Sequence, residues 1–126
     1  MKKKIKTNNS EIWIEGGIIM IRMWGELNEK STKVQIKEIK NLRKESGNIK
    51  YMIVDISDLK KVSLKARRIF ASEYSGSGVR KIGVICKNPL SKTIASFFLG
   101  INKPAILIKL FEDVEEAKKW LREDEY

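Results

Sequence analysis

Lys50-Tyr51-Met52-Ile53-Val54-Asp55-Ile56 is a short apolar run that closes on an aspartate. Central strands of parallel sheets look like this, because helices cover both faces of the sheet, and the ends of such strands are where open α/β sheets hold their sites. The flanking sequence agrees. Upstream, Asn28 can cap a helix running to about Ser46, with Ile36, Ile39 and Leu42 on its inner face and lysines outside, and Gly47 stops it. Downstream, Ser63 is a plausible N-cap for a helix from Leu64 to Tyr74 in which Ala66, Ile69 and Phe70 share a face; Ser75-Gly76-Ser77-Gly78 ends it.

Working outward toward the N-terminus, Ile18-Ile19-Met20-Ile21-Arg22-Met23-Trp24 is a second nearly unbroken apolar strand, which Gly25 breaks. Before it, Glu11-Ile12-Trp13-Ile14-Glu15 alternates with period two, and Gly16-Gly17 between the runs can take the positive φ angles of a tight antiparallel hairpin. Toward the C-terminus, the strand Lys81 to Cys86 leads into Asn88-Pro89, a cap residue followed by proline at the first helical position. The helix it opens carries Leu90, Ile94, Phe97, Phe98 and Ile101 as a broad apolar stripe, with Gly100 near its end. A last strand, Ala105 to Leu110, precedes Asp113-Val114-Glu115-Glu116, a capping-box variant opening a helix that holds Ala117, Trp120 and Leu121.

The expected order is ββαβαβαβα. Helical crossovers demand a mixed, mostly parallel sheet of five strands with an N-terminal antiparallel hairpin and four helices. The expected organisation is a basic polar tail at residues 1–9 and one α/β domain at 10–124. A chain of 126 residues has room for one such domain.

Composition narrows the function. With no histidine and one cysteine, Ser-His-Asp and Cys-His catalysis and histidine metal sites are excluded. Cys86 reads as a small buried hydrophobe suited to a reducing cytosol. No nucleophile–base pair, metal-ligand cluster or phosphate-cradling glycine loop is visible, so catalysis and cofactors are not expected. The basic start, Met1 to Lys6, meets polar Thr7-Asn8-Asn9-Ser10 where a signal peptide needs an apolar core, and no apolar run approaches the roughly 20 residues of a membrane span; a cytoplasmic location is the expectation. The formal net charge of +10 is spread over every helix rather than clustered, which weighs against nucleic acid as the partner.

Several words of sequence, in order, carry a resemblance: Trp13-Ile14-Glu15-Gly16-Gly17-Ile18-Ile19, Val54-Asp55-Ile56-Ser57-Asp58-Leu59, Ala66-Arg67, Arg80-Lys81-Ile82, Asn88-Pro89, Gly100-Ile101-Asn102-Lys103-Pro104, and Phe111 through Ala117 to Trp120-Leu121. Over about Ser10 to Glu123 the chain resembles the SpoIIAA-like (STAS/SEC14 domain) proteins, relatives of the anti-sigma-factor antagonists. The resemblance implies the STAS fold and a non-enzymatic regulatory or protein-interaction module. In antagonists of that kind a partner kinase phosphorylates a serine at the start of the helix after the central strand. On that pattern Asp55 and Ser57 match, Ser63 falls at the aspartate position and Leu64 at the phosphoserine position. A leucine cannot accept phosphate, so a phospho-switch would require Ser63.

The rim at the strand ends is expected to gather Asp55, Ser57, Asp58, Ser63, Arg67, Arg68, Asn88, Ser91 and Lys92. Five of them have two readings. Ser63 could be a phosphorylation site, or Ser63 and Asn88 could be helix caps alone. Asp55 could be a pKa-shifted acid or the acceptor of backbone hydrogen bonds from its own turn. Arg67 and Arg68 could grip an acidic partner or phosphate, or form a solvated face. Phe97 and Phe98 could fill the core or line the cavity of a SEC14-like carrier for a small apolar or anionic ligand. A homodimer would cover any excess apolar stripe. The expected partner is a protein that the sequence does not name.

Overall fold

The computed structural model describes residues 4–74, 77–99 and 106–123, apart from the Phe98 side chain. Ser75, Gly76, Gly100, Ile101 and Ala105, all used in the sequence reading, lie outside the described residues.

The elements are β1 (Ile5–Lys6), β2 (Ser10–Glu15), β3 (Ile18–Leu27), α1 (Glu29–Glu45), β4 (Tyr51–Val62), α2 (Leu64–Tyr74), β5 (Lys81–Ile85), α3 (Pro89–Leu99), β6 (Leu107–Phe111) and α4 (Val114–Leu121). They form one sheet in the order β1-β2-β3-β4-β5-β6. β1, β2 and β3 pair antiparallel; β3 through β6 pair parallel. The hairpin turns at Gly16 and Gly17, whose φ angles of 56° and 79° are those of a turn that matches strand twist.

Strand order running steadily in one direction has a consequence for the layers. Each right-handed crossover must place its helix on the same side of the sheet. Accordingly α1, α2 and α3 share one core with the inward residues of the strands: Ile36, Ile39 and Leu42 from α1, Ala66, Phe70 and Tyr74 from α2, and Ile94 and Ala95 from α3 all pack with Ile21, Met52, Val54 and Val84. Among the described residues only α4, which is not a crossover between two strands of the sheet, lies on the opposite face. There Ala117 and Leu121 cover Ile18, Met20, Ile53 and Ile85. Gly83 lets α4 approach, since a Cβ at that position would sit 3.2 Å from the Ala117 Cβ. Lys81, only 4% exposed, anchors the far end of α4 by donating to the Trp120 carbonyl at 2.9 Å.

Two features differ from the expectation. The sheet has six strands rather than five, because Ile5 and Lys6, in the stretch read as a polar tail, pair with Ile12 and Glu11. A two-residue strand is too short for any period to show. The central strand also continues past Ile56 to Val62, and its partner β3 runs through Gly25 to Leu27. Register shifts between Arg22 and Trp24 and between Gly25 and Glu26 interrupt the alternation, which hides the extension from a period-two reading.

Candidate functional site

Because β4 extends, Asp55 lies within the strand, level with Arg22 of β3 and with Ile85, the last residue of β5. The expected residues fall into three groups.

The first is built around Ser57. Its N–H donates to Asp55 Oδ1 at 2.9 Å, its Oγ accepts from the Lys87 N–H at 3.2 Å, and its carbonyl accepts from Asn88 Nδ2 at 2.7 Å. Asn88 also caps α3: its Oδ1 accepts from the Ser91 N–H at 2.8 Å, while its own N–H donates to Ser91 Oγ at 3.1 Å. This reciprocal cap, with Ser91 fully buried, joins the start of α3 to the middle of β4. Lys92, one residue on, forms an exposed ion pair with Glu112 at 3.1 Å. Under this group the Cys86 thiol is pushed up by burial, against a smaller downward pull from Lys92, with Glu112 and Asp55 raising it further. Such a thiol stays protonated at neutral pH and is a poor nucleophile.

The second group is the start of α2. The Ser63 N–H donates to the Leu27 carbonyl at 2.9 Å, and its Oγ accepts from the Ala66 N–H at 3.0 Å, the bond of an N-cap. Leu64 follows, 53% exposed. Arg67 lies with its guanidinium carbon 3.9 Å from the centre of the Phe97 ring on α3, and its Nε is buried with no hydrogen-bond partner among the described residues. Arg68 is exposed. The third group is Asp58 alone, which pairs with Arg22 at 2.9 Å; that guanidinium also lies 5.3 Å from the centre of the Trp24 ring.

The structure thus brings Asp55, Ser57, Asn88, Ser91 and Lys92 together. It sets Ser63, Arg67 and Arg68 on α2 and gives Asp58 to Arg22. Sequence reasoning singled out neither Arg22 nor the exposure of Leu64. Leu64 carried a signal, since the residue after an N-cap has no preceding turn to cover it. Among the described residues there is no cluster of three or more side chains able to hold a metal ion, and no helix is long and apolar enough to cross a membrane.

This architecture is the SpoIIAA-like (STAS) fold. An uncharacterized protein of the DUF3478 family from Shewanella loihica PV-4, with a SpoIIAA-like fold, superposes with a TM-score of 0.61 at 18% identity, covering 96% of this chain and 92% of its own. An anti-sigma factor antagonist from Mycobacterium paratuberculosis gives a TM-score of 0.67 at 15% identity, with 98% and 96% covered. The Bacillus cell fate determinant SpoIIAA in its phosphorylated form gives 0.52 at 16% identity, with 97% and 100% covered. In sequence, residues 12–124 match the domain of unknown function DUF7793, and the chain belongs to that family. No curated protein matches the chain.

Proposed function

We propose that this chain is a regulatory protein-interaction module that acts by binding rather than catalysis in the cytoplasm, and that its partner surface is centred on the first turn of α2. The observation that carries the reading is Leu64: a half-exposed apolar side chain, beside the Ser63 cap and followed by Lys65, Arg67 and Arg68, at the position where the resemblance to the antagonists puts their phosphoserine. An exposed leucine framed by cations suits a partner that offers an apolar pocket with an acidic edge. The likeness of the whole fold to anti-sigma factor antagonists supports a protein as that partner.

Ser63 is the site through which phosphate would control this surface. A phosphate there would bring about −2 charge to the positive end of the α2 dipole. It would also load the hydroxyl that now caps Ala66.

The test is affinity capture from the native host with tagged wild-type chain and three variants. A protein retained by wild type and by Ser63→Ala, but lost with Leu64→Glu and altered with Ser63→Asp, is the expected result. Ser63→Ala should fold, at a cost of about 1 kcal/mol for the lost cap. Equal retention by all four chains would remove the reading.

A further inference from the structure

α1 presents a second surface that neither the rim nor the sheet explains. Lys33, Lys37, Lys40 and Lys44 follow one another at steps of four, three and four, so they lie on one flank of the helix, and all four are exposed. This flank overlooks the seam with α2, where a cleft of about 270 Å³ is floored by Ile36 and Ile69 and edged by Lys33, Lys37, Lys40 and Glu73. The charge is one-sided. Glu73 crosses the cleft to Lys40 at 2.7 Å, and Glu29 at the far end holds Lys33 at 3.0 Å and Lys65 at 3.5 Å. Lys37 and Lys44 have no carboxylate partner among the described residues.

We infer that the α1–α2 groove docks an acidic amphipathic helix of a partner protein. An apolar floor beside a line of cations asks for the mirror image: carboxylates at i, i+4 and i+7, spaced as the lysines are, with an adjacent apolar flank to enter the cleft. A polyanion with no apolar face would use the lysines and leave the part-exposed Ile69 uncovered. The Lys40–Glu73 pair is the internal stand-in for that partner, since Glu73 occupies a lysine that an incoming carboxylate would take. The surface is separate from the start of α2 and does not depend on Leu64 or Ser63.

The probe is a capped, fluorescently labelled helical peptide with glutamates at i, i+4, i+7 and i+11 and a leucine one residue after each, followed by anisotropy against the full chain. Wild type is expected to bind it about tenfold more tightly than a shuffled peptide of the same composition or an oligothymidylate of equal charge. Lys37→Glu, an exposed change checked for folding by circular dichroism, should weaken binding about tenfold, and Glu73→Gln should tighten it about threefold by freeing Lys40. Leu64→Glu should leave it unchanged, which separates this groove from the partner surface proposed above. The inference is overturned if the shuffled peptide or the oligonucleotide binds as well, if Lys37→Glu is without effect, if Glu73→Gln fails to tighten binding, or if Leu64→Glu abolishes it.

Discussion

The Asn88 side chain donates to the Ser57 carbonyl across 2.7 Å while its other end caps α3, so a single amide holds the first turn of a helix against the middle of the central strand. Both halves of the amide are used. Asn88→Ala should destabilise the fold by about 2 kcal/mol, summing a lost cap and a lost hydrogen bond that leaves the Ser57 carbonyl unserved. Asn88→Asp keeps the cap acceptor but turns an acceptor toward that carbonyl, so its loss should be smaller than that of the alanine variant yet measurable. Urea denaturation of the three chains checks this: an aspartate variant as stable as wild type would leave the cap alone carrying the effect, and one as unstable as the alanine variant would leave the cross-link alone.

Gly83 should report the docking of α4. A Cβ there meets the Ala117 Cβ at 3.2 Å, so Gly83→Ala must move α4 outward, at a cost of about 1–2 kcal/mol. Trp120, which packs against Phe111 with ring centres 5.6 Å apart, should then change its fluorescence. Adding Ala117→Gly relieves the clash, so the two changes together should cost less than the sum of each alone. Additive costs would mean that α4 has room to spare.

Gly17 isolates backbone strain from packing. Its φ is 79° and a Cβ there would touch nothing within 4 Å, so any loss on substitution is conformational. Gly17→Val should cost about 1–2 kcal/mol and Gly17→Asn clearly less, because asparagine tolerates the left-handed region. Thermal denaturation of the pair is the measurement, and equal losses would contradict the turn assignment.

At alkaline pH two groups should weaken the fold together. Burial pushes the Tyr74 phenol well above its ordinary value of 10.0, Arg43 opposing and Glu73 adding to the effect. Lys118 is raised above its ordinary 10.5, chiefly by its hydrogen bond to Glu15, with burial opposing. In both cases the native state holds its proton longer than the unfolded chain, so stability is full below about pH 10 and falls as pH rises beyond it. Tyr74→Phe and Lys118→Met should each flatten part of that fall. An unfolding midpoint that stays level through this range would contradict the burial of Tyr74 and the pairing of Lys118.

Much of the fold was legible in the residues, for local reasons. Gly16-Gly17, Asn28, Ser63 and Asn88-Pro89 each announce a turn or cap through chemistry confined to three or four neighbours, and all four act as read. Asp113 caps α4 as well, but as a simple N-cap that accepts from the Glu115 N–H rather than through the expected capping box. What went unseen lacks a local cause. Ile5 forms a strand only because Ile12 is beside it, and Ser57 to Val62 stay extended because β3 pairs with them through two register shifts. The candidate site divides along the same line. Asn88 as a cap was visible, whereas its bond to Ser57, the union of Asp58 with Arg22 and the stacking of Arg67 on Phe97 join residues distant in the chain.

By itself, then, the sequence determined the kind and order of the main elements, since propensity, capping and apolar period act within a few residues of each other. Which side chains share a surface was decided only by the tertiary structure. Unidirectional strand order put three helices on one face, opened the groove between α1 and α2, and left Leu64 exposed at the separate start of α2. Contacts of that kind depend on the relative placement of whole elements, which no local pattern encodes.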